Sequence, residues 1–320
     1  MQRSNLYTFG FAFAVTLFCS IALALASTSL KPAQEISARL DVIKNILSVA
    51  GYDNAETEKK AARDPQSVIT LFEQDFTARV VDKNNQEVSL EKIKSELQKL
   101  GYEAADLDQK QAFEILEIFN SKIGLLAAKA GVKKSEYDPG YSLLFLHQPG
   151  GQETVEAYIV PVEGYGLWDM IFGYIALQPD LVTVKDIRFY KHKETPGLGG
   201  EISTTAFTNQ FKGKKILDED GSYTSIGVVK GKVSDVHPDE SEHYVDGISG
   251  GTITGRGVTD FLYEDLKRYN AYFETLRSNE GGAETARINH RANTQAEAKT
   301  SYRSSASTEV AQILGARGEL

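Results

Sequence analysis

The sequence predicts an α+β fold: a mainly antiparallel, twisted sheet with packed helices, carried on one N-terminal transmembrane helix. Three observations lead there. Residues 6–26 form a run of 21 residues without a charge. Residues 27–140 are dominated by helical periodicity. Residues 141–278 then turn to short segments rich in β-branched and aromatic residues, closed by one amphipathic helix. Helices first and strands afterwards is the α+β pattern.

The first element is the apolar run. At helical rise its 21 residues span about 30 Å, the thickness of a bilayer core. Residues 1–5, Met-Gln-Arg-Ser-Asn, precede it as a cytoplasmic N-terminus. Arg3 and the terminal amine set against Lys31 give a small positive-inside bias. Ala24-Leu25-Ala26 resembles a signal-peptidase site, so a cleaved signal peptide is the competing reading. The run is longer than the 7–15 residues of a usual signal core, which favours a retained anchor. Either way the soluble region lies on the same side of the membrane.

Pro32 to Ala50 reads as a helix with Ile36, Leu40, Ile43, Leu47 and Val49 apolar, continuing from or standing on the anchor. Residues 51–65 are polar and read as a break. Val68 to Val81 is mixed and fits helix or strand. Glu87 to Ala130 is helical, with two periodic runs broken near Gly101. Strands are expected at Val155–Val162, Met170–Leu177, Thr183–Tyr190 and Tyr223–Val233. Gly164 and Gly166 mark a turn, and Trp168, the only tryptophan, reads by default as a core residue, with a ligand-facing role as the alternative. A short helix is expected over Ser203–Phe211. Thr259 to Leu276 carries Leu262, Leu266, Tyr269, Phe273 and Leu276 at steps of four and three, one buried stripe. Residues 279–320 have the composition of a disordered tail.

Composition narrows the function. A net charge of -9 argues against nucleic-acid partners. Cys19, the single cysteine, lies inside the apolar run, so the soluble region has neither a disulfide nor a cysteine-based metal site. His237 and His243 sit among Asp235, Asp239, Glu240 and Glu242, but their spacing matches no zinc pattern and reads as a solvated loop; no metal is expected.

The most informative segment is Asp246-Gly247-Ile248-Ser249-Gly250-Gly251-Thr252-Ile253-Thr254, just before the last helix. Paired glycines flanked by hydroxyl residues let a backbone approach an anion closely, and the helix dipole favours a phosphate there. The span Gly250–Arg256 almost matches a P-loop, but Arg256 stands where that motif needs Lys, and no buried strand precedes it. A second motif, Glu194-Thr195-Pro196-Gly197-Leu198-Gly199-Gly200, places a lone leucine in a turn. Leu198 either tucks into the local core or lies against a flat ligand.

Together the two motifs resemble the FMN-binding domain of the NqrC family, from the sodium-translocating NADH:quinone reductase, which is shared with the G subunit of the Rnf complex. The resemblance extends from about Lys31 to Leu276 and includes Gly164-Tyr165-Gly166-Leu167-Trp168-Asp169. It implies FMN joined through its phosphate to the hydroxyl of Thr252 as a phosphoester, installed by a dedicated flavin transferase that reads Asp246. It also implies Ser249, Gly250 and Gly251 as the rest of the phosphate loop, and Glu194, Thr195 and Leu198 around the isoalloxazine ring. Gly251 replaces the alanine usual in the family, and Thr254 is a second candidate acceptor. No residue is expected to act as acid, base or nucleophile. The implied protein is an inner-membrane, single-pass subunit with its soluble domain in the periplasm. It would relay electrons one at a time within a sodium-pumping NADH:ubiquinone reductase complex and would not be catalytic alone. Chain length, the helical region Pro32–Ala130 and the Gly164-Tyr165-Gly166-Leu167-Trp168 stretch favour the NqrC family over the Rnf subunit. A non-redox exported binding domain is the alternative from another class.

Overall fold

The computed structural model describes residues 5–278; the expectations for the extreme N-terminus and for the tail at 279–320 lie outside the described residues. Helix α1, Asn5–Ala50, is continuous, and Pro32 sits within it without ending it. Among the described residues it is the one helix long and apolar enough to cross a membrane. From Leu40 onward one side of α1 enters the core, burying Leu40, Ile43, Ile46, Leu47 and Val49.

The segment read as a break contains a helix, α2, Asn54–Arg63. Asp53 caps it by accepting the Glu56 N–H at 2.8 Å. The ambiguous stretch is both things at once: α3, Pro65–Asp75, runs straight into strand β1, Phe76–Val81. Then follow β2 (Glu87–Val88), α4 (Leu90–Gln98), α5 (Ala104–Asp108), α6 (Ala112–Ala130) and α7 (Lys134–Tyr137). The remaining large strands are β3 (Ser142–His147), β4 (Ala157–Tyr165), β5 (Met170–Leu177) and β6 (Val184–Lys191). Beyond them lie α8 (Thr205–Thr208), β7 (Gly227–Val228), α9 (Val233–Val236), β8 (Tyr244–Val245) and α10 (Thr252–Ser278). Of the strand expected at Tyr223–Val233 only Gly227–Val228 forms a strand, paired in parallel with β8, while Tyr223 makes an isolated antiparallel bridge to Leu217.

The main sheet has order β2-β1-β3-β4-β5-β6 and is antiparallel throughout. Side chains alternate across it, so each face buries its own core. Leu144, Leu146, Val160, Val162 and Ile175 meet Val258, Leu262, Leu266 and Phe273 of α10. Leu143, Phe145, Ile159 and Ala176 meet Ile43, Leu47, Phe72, Ile115 and Phe119 of the N-terminal helices. The result is three layers, with α10 the long helix on one side of the sheet, joined there by Phe207 of α8 and by Phe211.

This topology sets the site. The turn between β4 and β5, residues 166–169, and the chain leaving β6 lie at the same end, because Phe172 pairs with Lys191. The β7–β8 pair delivers residues 246–251 to the start of α10, next to that end.

Candidate functional site

Helix α10 begins at Thr252, seven residues before the apolar stripe suggested. Its first bond runs from the Gly255 N–H to the Gly251 carbonyl at 2.8 Å. The N–H groups of Thr252, Ile253 and Thr254 therefore precede the helical ladder and are free to meet an anion. Gly255 and Gly257, which made this stretch look like a loop, lie within the helix, and other chain segments come so close that a side chain would not fit without a shift. A Cβ on Gly257 would lie 2.2 Å from the Tyr165 carbonyl oxygen. Thr252 and Ser249 are exposed at this helix start, and Gly251 is buried between Ile248 and Gly199.

Thr254 behaves oppositely to Thr252. It is 1% exposed, and its hydroxyl donates to the buried Glu194 carboxylate. The other oxygen of Glu194 accepts the N–H groups of Leu167 at 2.9 Å and Trp168 at 3.0 Å. Glu194 thus ties the β4–β5 turn, its own loop and the first turn of α10 together.

Thr195 and Leu198 come out on the surface of the same end. The Thr195 carbonyl accepts from Leu198 and Gly200, which closes the turn. Leu198 is 45% exposed and lies over Gly250, whose φ of +73° suits glycine. It does not tuck into the local core. Trp168 corrects a second expectation: it is 67% exposed, not a core residue, and its indole N–H donates to the Thr195 hydroxyl at 3.2 Å. Lys193 pairs with Asp169 beside it and holds that carboxyl below the usual carboxylate range. Trp168 and Leu198 form an apolar rim next to the helix start.

On the other side of the helix start lies a cavity of about 810 Å³, lined by Ser249, Thr252, Lys230, Lys232, Asp246 and Arg256 among others. Asp246 does not point freely into it. Its carboxylate accepts the Val233 N–H at 2.8 Å, and its own N–H donates to Gln210. Sequence reasoning missed the three cations; their signal was the two lysines of Lys230-Gly231-Lys232 and the arginine one helical turn beyond Thr252. In the acidic histidine stretch Asp235, Asp239 and Glu240 are exposed, as a solvated segment requires, although short helical turns run through it. His243 is buried, 2.8 Å from the Lys215 carbonyl through Nδ1, and His237 stacks on Tyr244.

Comparison with known proteins now adds a family. Residues 166–267 match the FMN-binding domain. The chain is 32% identical over 283 residues to the NqrC protein of the Na(+)-translocating NADH-quinone reductase of Pseudomonas aeruginosa, covering 87% of this chain and 98% of that one. With the corresponding protein from Vibrio campbellii it shares 34% identity over 262 residues, 81% of this chain and 90% of the other. This chain belongs to the NqrC family of the Na(+)-translocating NADH-quinone reductase. A crystal structure of NqrC from Parabacteroides distasonis superposes with a TM-score of 0.51 at 28% identity, covering 76% of this chain and 96% of that one. The Shewanella oneidensis NqrC structure, at 22% identity, covers 77% of this chain and all of that one with the same TM-score, and agrees in fold. Between the two families that share the sequence motifs, these relatives select NqrC. Its members are components of a translocase complex, and the α+β architecture is theirs.

Proposed function

We propose that this chain is the membrane-anchored flavin subunit of a Na(+)-translocating NADH-quinone reductase, with FMN esterified through its phosphate to Thr252. One observation carries the reading. Of the two candidate acceptors, Thr252 is exposed at the first position of α10, while Thr254 is buried and its hydroxyl is committed to Glu194. The residues around Thr252 fit the group. Three N–H groups at the helix start, with Lys230, Lys232 and Arg256 near, suit a phosphate diester. The exposed indole of Trp168 and the side chain of Leu198 offer apolar surface for a flat ring, and the Thr195 hydroxyl adds a polar contact. Gly250 and Ser249 complete the phosphate loop. Gly251 allows Ile248 and Gly199 to close behind it.

When bound, FMN supplies electron transfer, one electron at a time in this reading, and the protein supplies orientation and electrostatics. Thr252 fixes the phosphate end, and Leu198 and Trp168 limit water at the ring. Glu194, with its oxygens engaged by the backbone and Thr254, positions the ring-side loops. The apolar part of α1 spans the inner membrane, with the soluble domain in the periplasm. Its partners are the lipid bilayer, the other subunits of the reductase, and a flavin transferase during maturation.

The test is the mass of the full chain produced together with a flavin transferase. The expected result is a gain of one FMN minus water, lost in Thr252→Val and kept in Thr254→Val. A gain that persists in Thr252→Val refutes the assignment.

A further inference from the structure

We propose that Glu194 and Thr254 act as a latch that fixes the direction of the Thr252 hydroxyl and the seat of Trp168 in a single contact. What the latch positions rests on the flavin reading above; the latch itself does not. Residues two apart on a helix point to nearly opposite sides. Thr252 and Thr254 obey this: one is exposed and the other is 1% exposed. Anchoring Thr254 inward therefore sets the rotation of the first turn of α10, and with it the outward heading of Thr252. A threonine in a helix commonly turns its hydroxyl back to a carbonyl in the preceding turn. Thr254 instead reaches across to a carboxylate sixty positions away in sequence.

The acceptor is equally committed. Glu194 is 4% exposed and takes the N–H groups of Leu167 and Trp168 on one oxygen and the Thr254 hydroxyl on the other. Its neighbours are cut to fit. A Cβ on Gly166 would lie 2.5 Å from one oxygen, and a Cβ on Gly199 2.6 Å from the other. Three segments distant in sequence thus converge on one carboxylate. Trp168 hangs from it through its backbone N–H, while its indole is held by Thr195 in the loop that Glu194 opens. Releasing Thr254 frees one oxygen of a buried charge and loosens helix start and tryptophan loop together. Glu194 and Thr254 are positioning residues: they set the geometry of groups that meet the ligand.

Trp168 is the only tryptophan in the chain, so its emission reports the latch without any flavin present. The experiment uses the flavin-free full chain in detergent, with time-resolved anisotropy of Trp168. Thr254→Val removes a hydrogen bond to a charged group, and the population of detached, freely turning indole is expected to rise about tenfold. Thr254→Ser, which keeps the hydroxyl, returns it to the parent value. Thr275→Val, on the exposed side of the same helix, leaves it unchanged. Should Thr254→Val not fold, Thr254→Ala is read in the same way. Parent-like anisotropy in the folded Thr254→Val or Thr254→Ala chain overturns the latch, as does a Thr254→Ser chain as loose as Thr254→Val. In flavinylated chain, the visible circular dichroism of the flavin should fall in Thr254→Val and recover in Thr254→Ser, with the mass gain retained. Absence of that mass gain in the parent strikes the flavin reading and leaves the Trp168 result standing.

Discussion

Asp265 offers a prediction whose size follows from the structure. It lies on α10, is 4% exposed, and accepts the Glu163 N–H at 2.7 Å. Arg268, one turn on, approaches at 3.4 Å from a largely exposed position. Burial outweighs both contacts and pushes the carboxyl from 3.8 up to about 6. The folded chain therefore holds this proton more tightly than the unfolded chain. The associated stability is fully present below pH 3.8 and is lost as pH rises through about 6. A shift of that size corresponds to about 3 kcal/mol lost at pH 8 relative to pH 3.5. In Asp265→Asn the side chain keeps an acceptor for Glu163 and has no charge to bury. Melting followed by circular dichroism, parent against variant, isolates this group because every other titration is common to both. At pH 8 the variant is expected to melt higher by about 5 °C, allowing about 2–4 °C per kcal/mol for a domain of this size and some loss of the Arg268 contact. Near pH 4 the gain should vanish. A variant destabilised equally at both pH values would refute the argument, since it would mean that the ionised carboxylate is a net asset to the fold.

Three further outcomes are expected. Burial pushes the His147 imidazole down to about 4, so its neutral form supports folding above pH 6.5 and that support drains away as pH falls through about 4, by roughly 3 kcal/mol; His147→Phe should flatten the acid side of the melting profile while keeping the stacking on Phe76. Gly257→Ala drives a Cβ to within 2.2 Å of the Tyr165 carbonyl oxygen, and should cost about 1–3 kcal/mol in denaturant titrations by lifting α10 off β4. Glu114→Ala removes both the Arg39 ion pair at 3.0 Å and the acceptor for the Gln111 N–H at 2.7 Å that caps α6. It should lower stability by about 2 kcal/mol, read as a fall in melting temperature.

Where the chain repeats a pattern, the sequence was a good guide. Met170–Leu177 is a strand over the span its composition marks, and β4 and β6 fall within three residues of expectation. The failures have physical causes. Strand β1 was hidden because α3 ends at Asp75 and β1 begins at Phe76, with no Gly or Pro between. Helix α2 was hidden because only Thr57 is buried along it; without an apolar stripe there is no period to read. The start of α10 was hidden because Gly255 and Gly257 look like loop residues, although their small size serves close packing against Val228 and Tyr165. At the site, the two glycine motifs stood out in the sequence, and the structure brings Leu198 onto Gly250 and Glu194 onto Thr254. Contacts across sixty positions leave no local trace, so neither the burial of Glu194 nor the exposure of Trp168 could be read from spacing alone.

The unbroken course of α1 has a mechanical corollary. With the apolar run in a bilayer as proposed, no hinge separates lipid from the folded head among the described residues: Pro32 leaves the helix intact, and Arg39 is pinned to Glu114 where the head begins. The helix then works as a lever arm. From the middle of the run to Ser48 is about 48 Å of helix, and Ser48 is bonded directly to Arg188 of β6 at 2.5 Å. A swing of about 10° in tilt, modest against the range that transmembrane helices adopt, would carry the whole head sideways by about 8 Å. Lipid thickness alone could therefore set how far the head stands from any neighbour anchored beside it.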